Sequence, residues 1–459
     1  MRQGHAPCRG GILPMDVCGS FAGAHSRRRM LVGLTHGVGM TLLSACRITA
    51  PATTAEQPAA KAPLFKQATT VQVWMTDFND DTKRFYEEKL VPAVKQREPL
   101  LTLDIQWIGW DNFTTKLITA ISGGVGPDVF QPGSDFVASL VLRGVVRQLD
   151  DYVKRWGQKS DFYEAAWDSY WGKLYHVPYL SAVDTIAYRK DFFRDAGLDP
   201  EQPPVTWEEF VQYGQKLTRR EGDEWRVQGF ARDTSVRTWR QLYWQAGGEE
   251  WNQEQTRVVF NNEAGIEALT FMKDWMDKYQ ISPKQPITGL PPGMNALTAG
   301  RAAMMRQNGS GAVNMKQRNP EAYQFYGVGV PLRHRRQFGE VDVDVLSISA
   351  TSKNPDAAWL WIEHCMEPEN LLAYNLTIQF MPPRKSLAGK IDALDPVVAK
   401  FRAILERYGH PYRSDIGMSS LIQEQFNDFF ADKKSARDAL DAAVKNVNEL
   451  LSQYQPPKM

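Results

Sequence analysis

The chain has 459 residues, 43% hydrophobic and 11% aromatic, enough apolar material for two or three globular domains with buried cores. The formal net charge is +1, but residues 1–45 hold five Arg and one Asp, which leaves 49 basic against 52 acidic residues in the remainder. A near-neutral body offers no long-range attraction to nucleic acid or to an anionic membrane surface, so no nucleic-acid partner is expected.

The chain opens with an address. Ser26-Arg27-Arg28-Arg29-Met30-Leu31 leads into a weakly apolar, Gly-containing stretch that ends at Ala45, directly before Cys46. A basic head, a short apolar middle and small residues before a cut describe a signal peptide. The fifteen residues from Leu31 to Ala45 are fewer than the about 20 that a membrane-spanning helix needs. The Arg run resembles a twin-arginine export signal. Leu43-Ser44-Ala45-Cys46 resembles a bacterial lipobox, whose cysteine is acylated and becomes the first mature residue. Residues 1–45 are therefore expected to be a signal peptide, and 46–69 a tether held to the membrane by lipid at Cys46. The tether reading follows from composition: residues 47–68 are rich in Pro, Ala and Thr and carry too few large apolar side chains to form a core. Translation starts at Met1 or Met15, because a start at Met30 would delete the Arg run. Of the four cysteines, Cys8 and Cys18 leave with the leader. Cys46 and Cys365 form neither a disulfide framework nor a zinc cluster, and Cys365 reads as a buried apolar residue.

In the body, Val71, Val73 and Met75 alternate with polar residues as a half-buried strand does, with Trp74 read as core. A helix is predicted from about Asp80 to Gln96, a second strand through Leu101, Leu103, Ile105 and Trp107, a helix over about 112–122, and a short strand at Val129-Phe130. Strand–helix–strand–helix–strand is the pattern of a parallel sheet covered by helices, in which ligands sit beyond the carboxyl ends of the strands. The loops after Met75 and after Phe130 are thus the favoured places for contacts. Downstream, Thr206-Trp207-Glu208-Glu209 forms a capping box, Asn354-Pro355-Asp356 a helix start, and Ser435 caps a last helix.

A series of short blocks then appears in a fixed order: Gly126-Pro127-Asp128-Val129; Gly172 to Pro178; Ala187-Tyr188-Arg189-Lys190-Asp191 with Ala196-Gly197-Leu198-Asp199-Pro200 and Pro203-Pro204; Trp244-Gln245-Ala246-Gly247-Gly248-Glu249; Asn261 to Gly265; Gly300 to Met305; Tyr326 to Pro331; and Pro382 to Ser386. Each is weak alone. In this order, over residues 71–451, they resemble the bacterial extracellular solute-binding proteins of ABC sugar importers, the family of maltose-binding protein. The resemblance implies an α/β, two-lobed periplasmic-binding-protein-like fold (type II) with the ligand cleft between lobes joined by three hinge crossings. The crossings map to Val183–Thr185, Tyr326–Val330 and Phe380–Arg384. The N-terminal lobe is then residues 70–183 and 328–380, and the C-terminal lobe 184–327 and 381–459. The implied protein is a monomer with a small carbohydrate as ligand and the membrane subunits of an ABC permease as partner.

A sugar presents apolar C–H faces and a rim of hydroxyls, so aromatic platforms beside Asp, Asn, Gln or Arg are the chemistry to seek. The resemblance places Asp135, seven residues after Asp128, among ligand contacts, while Asp128 itself caps or turns the chain. Asp77 is either a contact or a solvated loop carboxylate. Tyr179 is placed to stack before the first crossing. Trp239 and Trp244, before the Gly247-Gly248-Glu249 turn, either stack on ligand or pack in the core. Asp342 and Asp344 share one face of a strand, and one of them is positioned for hydroxyls. Arg384 either donates a fork of hydrogen bonds to ligand or holds the lobes by an ion pair. Where many sugar binders show Gly-Ser-Trp after the Gly300 block, this chain has Gly309-Ser310-Gly311. That platform is absent, a long maltodextrin is disfavoured, and Asn308 and Ser310 are left as hydrogen-bonding groups. A polyol or a glycerol phosphate is the alternative ligand. No hydrolase, metalloprotease or nucleotide-binding motif is present, and His176, His334, His364 and His410 lack metal-ligand spacing, so no cofactor or metal is expected. A secreted glycosidase, needing only two carboxylates across a cleft, stays as the enzymatic alternative.

Overall fold

The alternation at Val71, Val73 and Met75 is realised as strand β1 (Thr69–Thr76), with those three side chains fully buried. The computed structural model describes residues 64–453 apart from 168, 379, 394, 412 and 414–416, so the expected signal peptide, Cys46 and most of the tether lie outside the described residues. β1 pairs in parallel with both β2 (Leu101–Ile108) and β3 (Val129–Phe130). Between β1 and β2 the chain runs through Asp80–Phe85, a π-helical turn at Tyr86–Leu90 and Val91–Arg97; Trp110–Ser122 links β2 to β3. Asn79 starts the first of these helices, its side chain accepting from the Thr82 amide at 2.8 Å.

The later strands are β4 (Val177–Val183), β5 (Thr185–Arg189), β6 (Arg219–Glu221), β7 (Glu224–Phe230), β8 (Ala302–Gln307), β9 (Tyr326–Val328), β10 (Gly339–Ile348) and β11 (Gly409–Pro411). They fall into two sheets. The first has the order β11-β10-β3-β1-β2, with β4 also on β10; the second has the order β6-β7-β8-β5-β9. The first sheet is not wholly parallel, because β10 runs antiparallel to β3 and β4.

Only Asp184 separates β4 in the first sheet from β5 in the second, and the chain returns between Val328 and Gly339. The segment expected as the third crossing, Phe380–Arg384, stays with the first sheet. Met381 bridges to Ser181 and Arg384 to Phe162, and the buried Arg384 guanidinium donates to Asp161, Gln158 and the Met366 carbonyl. The chain leaves the first sheet only after β11. Helices Met418–Phe430 and Ala436–Leu451 then pack beside Val236–Gln245 and Glu263–Asp277.

Each face of the first sheet carries its own core. Val71, Val73 and Met75 join Tyr86, Trp361 and Tyr374 on one face, while Trp74, Phe113 and Phe130 pack on the other. The second sheet is covered by Phe210, Phe230, Trp239, Trp275 and Phe426. The expected capping box at Thr206 and Glu209 is present in both directions, and Ser435 caps as expected. Asn354 does not cap with its side chain, whose Nδ2 instead donates to the Thr70 carbonyl at 3.4 Å. Cys365 is buried. Among the described residues no helix is long and apolar enough to cross a membrane.

Candidate functional site

A cavity of about 560 Å³ opens between the two sheets. From the first side it is walled by Phe78 in the loop after β1, by Leu180 of β4, by Asp342 and Asp344 of β10, by Phe380, and by Gly133 to Phe136 at the start of helix α1 (Ser134–Leu142). The other side supplies Ser235 to Arg237 at the start of α2 (Val236–Gln245), Asn308 before α3 (Gly309–Arg318), and Ser419, Ser420 and Gln423 of α4 (Met418–Phe430). All four helices reach the cavity with their N-terminal ends, where backbone N–H groups lack helical partners and the helix dipole is positive. Some are occupied by the protein itself: the Ser235 side chain accepts from the Thr238 amide at 3.3 Å, and Asn308 from the Ser310 amide at 3.1 Å.

The geometry of β10 sets the acidic wall. Its register with β4 shifts between Asp344 and Val345, where β4 carries Tyr179 as an extra residue. A bulge re-aims side chains. Here Tyr179 turns into the core, stacking on Tyr374 at 4.0 Å and sharing a 2.7 Å hydrogen bond with the Tyr86 hydroxyl. Asp344 bridges to Gly133, which brings the start of α1 beside it. Its carboxylate accepts from Gln131 Nε2 at 3.1 Å, and the same nitrogen donates to the Tyr374 hydroxyl at 3.0 Å. Burial pushes the Asp344 carboxyl well above the usual range, and the charges of Asp342 and Asp135 push the same way.

Beside this wall, three arginines and five carboxylates tie the sheets together. Arg237 reaches Asp184, between β4 and β5, at 2.9 Å, and Glu340 and Asp342 of β10 at 2.9 and 2.5 Å. Arg306 of β8 pairs with Asp184 and, at 3.3 Å, with Asp233. Arg240 pairs with Glu250 at 3.0 Å and Glu340 at 3.5 Å. Burial raises Glu340 to about 7 against the pull of Arg237 and Arg240, and raises Glu250 against that of Arg240.

Of the residues singled out by sequence, Asp135, Asp344 and Asn308 line the cavity. Ser310 borders an adjoining space of about 470 Å³ that Asn308 and Arg237 share, and its hydroxyl donates to Asn308 at 2.7 Å. Asp77 pairs with Lys83 at 2.9 Å, while its neighbour Phe78 reaches the cavity. Asp128 ties the chain as expected, accepting from the Gln72 amide and the Ser352 hydroxyl. The others stand elsewhere. Tyr179 is core for the reason given. Trp239 is fully buried against Tyr243, Phe260 and Phe426. Trp244 is buried edge-on to His410 at 4.4 Å. Gly247 adopts φ +87° next to Arg335, Glu249 pairs with Arg336, and Arg384 is held by Asp161 at 2.7 Å. The cavity rings are instead Phe78, Phe136 and Phe380, and its basic groups are Arg237 and Arg240. The nearest signal for them was adjacency: Phe78 and Phe136 follow Asp77 and Asp135.

Two α/β lobes with a cavity between them define a type II periplasmic-binding fold. The profile of the bacterial extracellular solute-binding proteins matches residues 79–371, and the chain belongs to that family. It is 24% identical over 329 residues to a putative binding protein of Brucella abortus (strain 2308), covering 69% of this chain and 77% of that one. It is 21% identical over 372 residues to the sn-glycerol-3-phosphate-binding periplasmic protein of Escherichia coli (strain K12), covering 74% and 82%. The solved structure of the sugar-binding protein MalE of Xanthomonas citri superposes with a TM-score of 0.73 at 22% identity, covering 84% of this chain and 98% of that chain.

Proposed function

We propose that this protein is the substrate-binding lipoprotein of an ABC importer, capturing a small carbohydrate between its lobes and delivering it, chemically unchanged, to the permease. The observation that carries the reading is the cavity itself, where three half-buried phenylalanines meet Asp135, Asp344 and Asn308. Rings suit the C–H faces of a sugar, and carboxylate and amide groups suit its hydroxyls. Membership of a solute-binding family and the likeness to a sugar-binding protein support it. The proposed lobes are residues 70–183 with about 330–411, and 184–328 with 417–451. Closure needs backbone change only near the crossings.

Export by a twin-arginine-like signal and acylation at Cys46 complete the proposal, with the protein working as a monomer on the outer side of the cytoplasmic membrane. Cys46→Ser is expected to move the protein from the membrane fraction to the soluble one, and membrane retention would overturn the anchor. The ligand is tested by a thermal-shift screen over sugars, polyols and glycerol phosphates. A true ligand at 100 times its Kd adds about 2.7 kcal/mol to stability. Stabilisation by peptides alone, with sugars silent, would reject the carbohydrate; turnover of chromogenic glycosides would reject simple binding. A glycerol phosphate is the second reading, supported by the four helix N-termini on the cavity, which suit an anion.

A further inference from the structure

The charges on the cavity wall bear on which solute it takes. Three carboxylates line it, Asp135, Asp342 and Asp344, against two cations, Arg237 and Arg240. Both cations already hold acids: Arg237 spans Asp184, Glu340 and Asp342, and Arg240 spans Glu250 and Glu340. A phosphate would therefore meet guanidinium charge already shared among carboxylates. Asp342 is matched by Arg237 at 2.5 Å. Asp344 is not matched in this way. Asp344 is only 8% exposed, yet its carboxylate's one hydrogen bond comes from the neutral Gln131 amide to Oδ2, so Oδ1 has no donor among the described residues. A buried carboxyl in that state is destabilised as an anion until something donates to it. Burial and the nearby Asp342 and Asp135 all raise it. In the same cavity Phe78 and Phe380 lie with ring centroids 6.0 Å apart, and the electron-rich face of a ring attracts a cation.

We propose that Asp344, with Asp135 beside it, is a specificity-determining residue that admits a sugar or polyol carrying an ammonium group and excludes phosphorylated ones. The proposal rests on the reading of this cavity as the solute site. An ammonium supplies the donor that Oδ1 lacks and offsets the surplus of negative charge, while its hydroxyls meet the groups that any sugar meets. The helix N-termini do not reverse this balance, because they contribute partial charges against whole carboxylates.

The test is a calorimetric comparison of matched probes at low ionic strength: D-glucosamine with D-glucose, D-galactosamine with D-galactose, D-mannosamine with D-mannose, and sn-glycerol 3-phosphate with glycerol. The expected result is at least one amine that binds about tenfold tighter than its neutral parent, the gain of a charge-assisted over a neutral hydrogen bond. Asp344→Asn keeps the shape and should bring the ratio of that amine's affinity to its parent's from about ten to about one, whatever the parent itself loses with the carboxylate. Asp135→Asn, at a half-exposed position, should narrow the same gap and serves if the first variant does not fold. If neutral sugars bind and no amine exceeds its parent, the proposal falls while the carbohydrate reading stands. If glycerol 3-phosphate alone binds, or nothing in the panel does, both fall.

Discussion

Replacing Arg240 by Met removes a charge from the interior while keeping an apolar stem of similar reach. Arg240 is 1% exposed, and its guanidinium serves Glu250 at 3.0 Å and Glu340 at 3.5 Å, themselves 3% and 0% exposed. Deleting one partner of a buried ion pair costs about 3–5 kcal/mol, because the partner left behind is a charge without compensation. With an unfolding entropy of about 2.1 cal/mol/K per residue, the roughly 390 residues of the body give about 0.8 kcal/mol/K, so Tm should fall by about 4–6 °C. The pH dependence makes the test specific. Burial raises Glu340 to about 7 from an ordinary value near 4.5, and raises Glu250 as well. A carboxyl that holds its proton more tightly when folded makes stability fall as pH climbs through the interval between the two values, here about 4.5 to 7. Without Arg240 both carboxyls rise further and the interval extends upward. The deficit of the variant is therefore largest at pH 8 and shrinks at pH 5, where protonated carboxyls need no cation. Calorimetric melts at the two pH values read this directly. An equal deficit at both, or no loss at pH 8, would refute the argument.

Much of the fold was legible because its signals are local. The period-two run at Val71–Met75, the capping box at Thr206 and the cap at Ser435 all depend on residues within a few positions of one another, and all are present. What the sequence hid was pairing at long range. That β10 enters the first sheet antiparallel, and that β11 rejoins it at Gly339–Val341, depends on partners some 70 residues or more apart. The third crossing was misplaced for this reason: nothing local in Pro382-Pro383-Arg384 says that Arg384 will be caught by Asp161.

The site divides in the same way. Asp135 was reached through the family resemblance and Asp344 through its place on one face of a strand, and both line the cavity. Tyr179 was not legible, since a one-residue bulge against β10 reverses the facing of a strand position and leaves no mark in composition. Trp239 and Trp244 were aromatic in a plausible place, yet tryptophan is also the largest available core filler, and both fill core. Phe78, Phe136 and Phe380 went unnoticed because no periodicity sets a single Phe in a loop or first helical turn apart from one in a core.

Three further perturbations separate core from site. Trp239→Ala should cost about 3–5 kcal/mol, since a fully buried indole stacked on Tyr243 and bonded to the Gly265 carbonyl is removed, while the folded fraction keeps its ligand affinity by calorimetry. Gly248→Ala should lower Tm or prevent folding, because a Cβ there would lie 2.0 Å from the Tyr243 ring; an unchanged melt would show that the ring can move aside. Phe380→Ala is expected to do the reverse of Trp239→Ala. Its ring is half-buried and meets Phe78 at a tilt of 57°, so truncation forfeits an aromatic contact of about 0.5–1.5 kcal/mol and little packing. A solute seated against that ring loses its apolar platform, and a loss of about 1.4 kcal/mol would weaken binding about tenfold. Calorimetry with whichever solute the thermal-shift screen selects reads the affinity, and a melt reads the stability. If binding is untouched while Tm falls by several degrees, Phe380 is core, and the cavity between the lobes does not hold the solute where the rings place it.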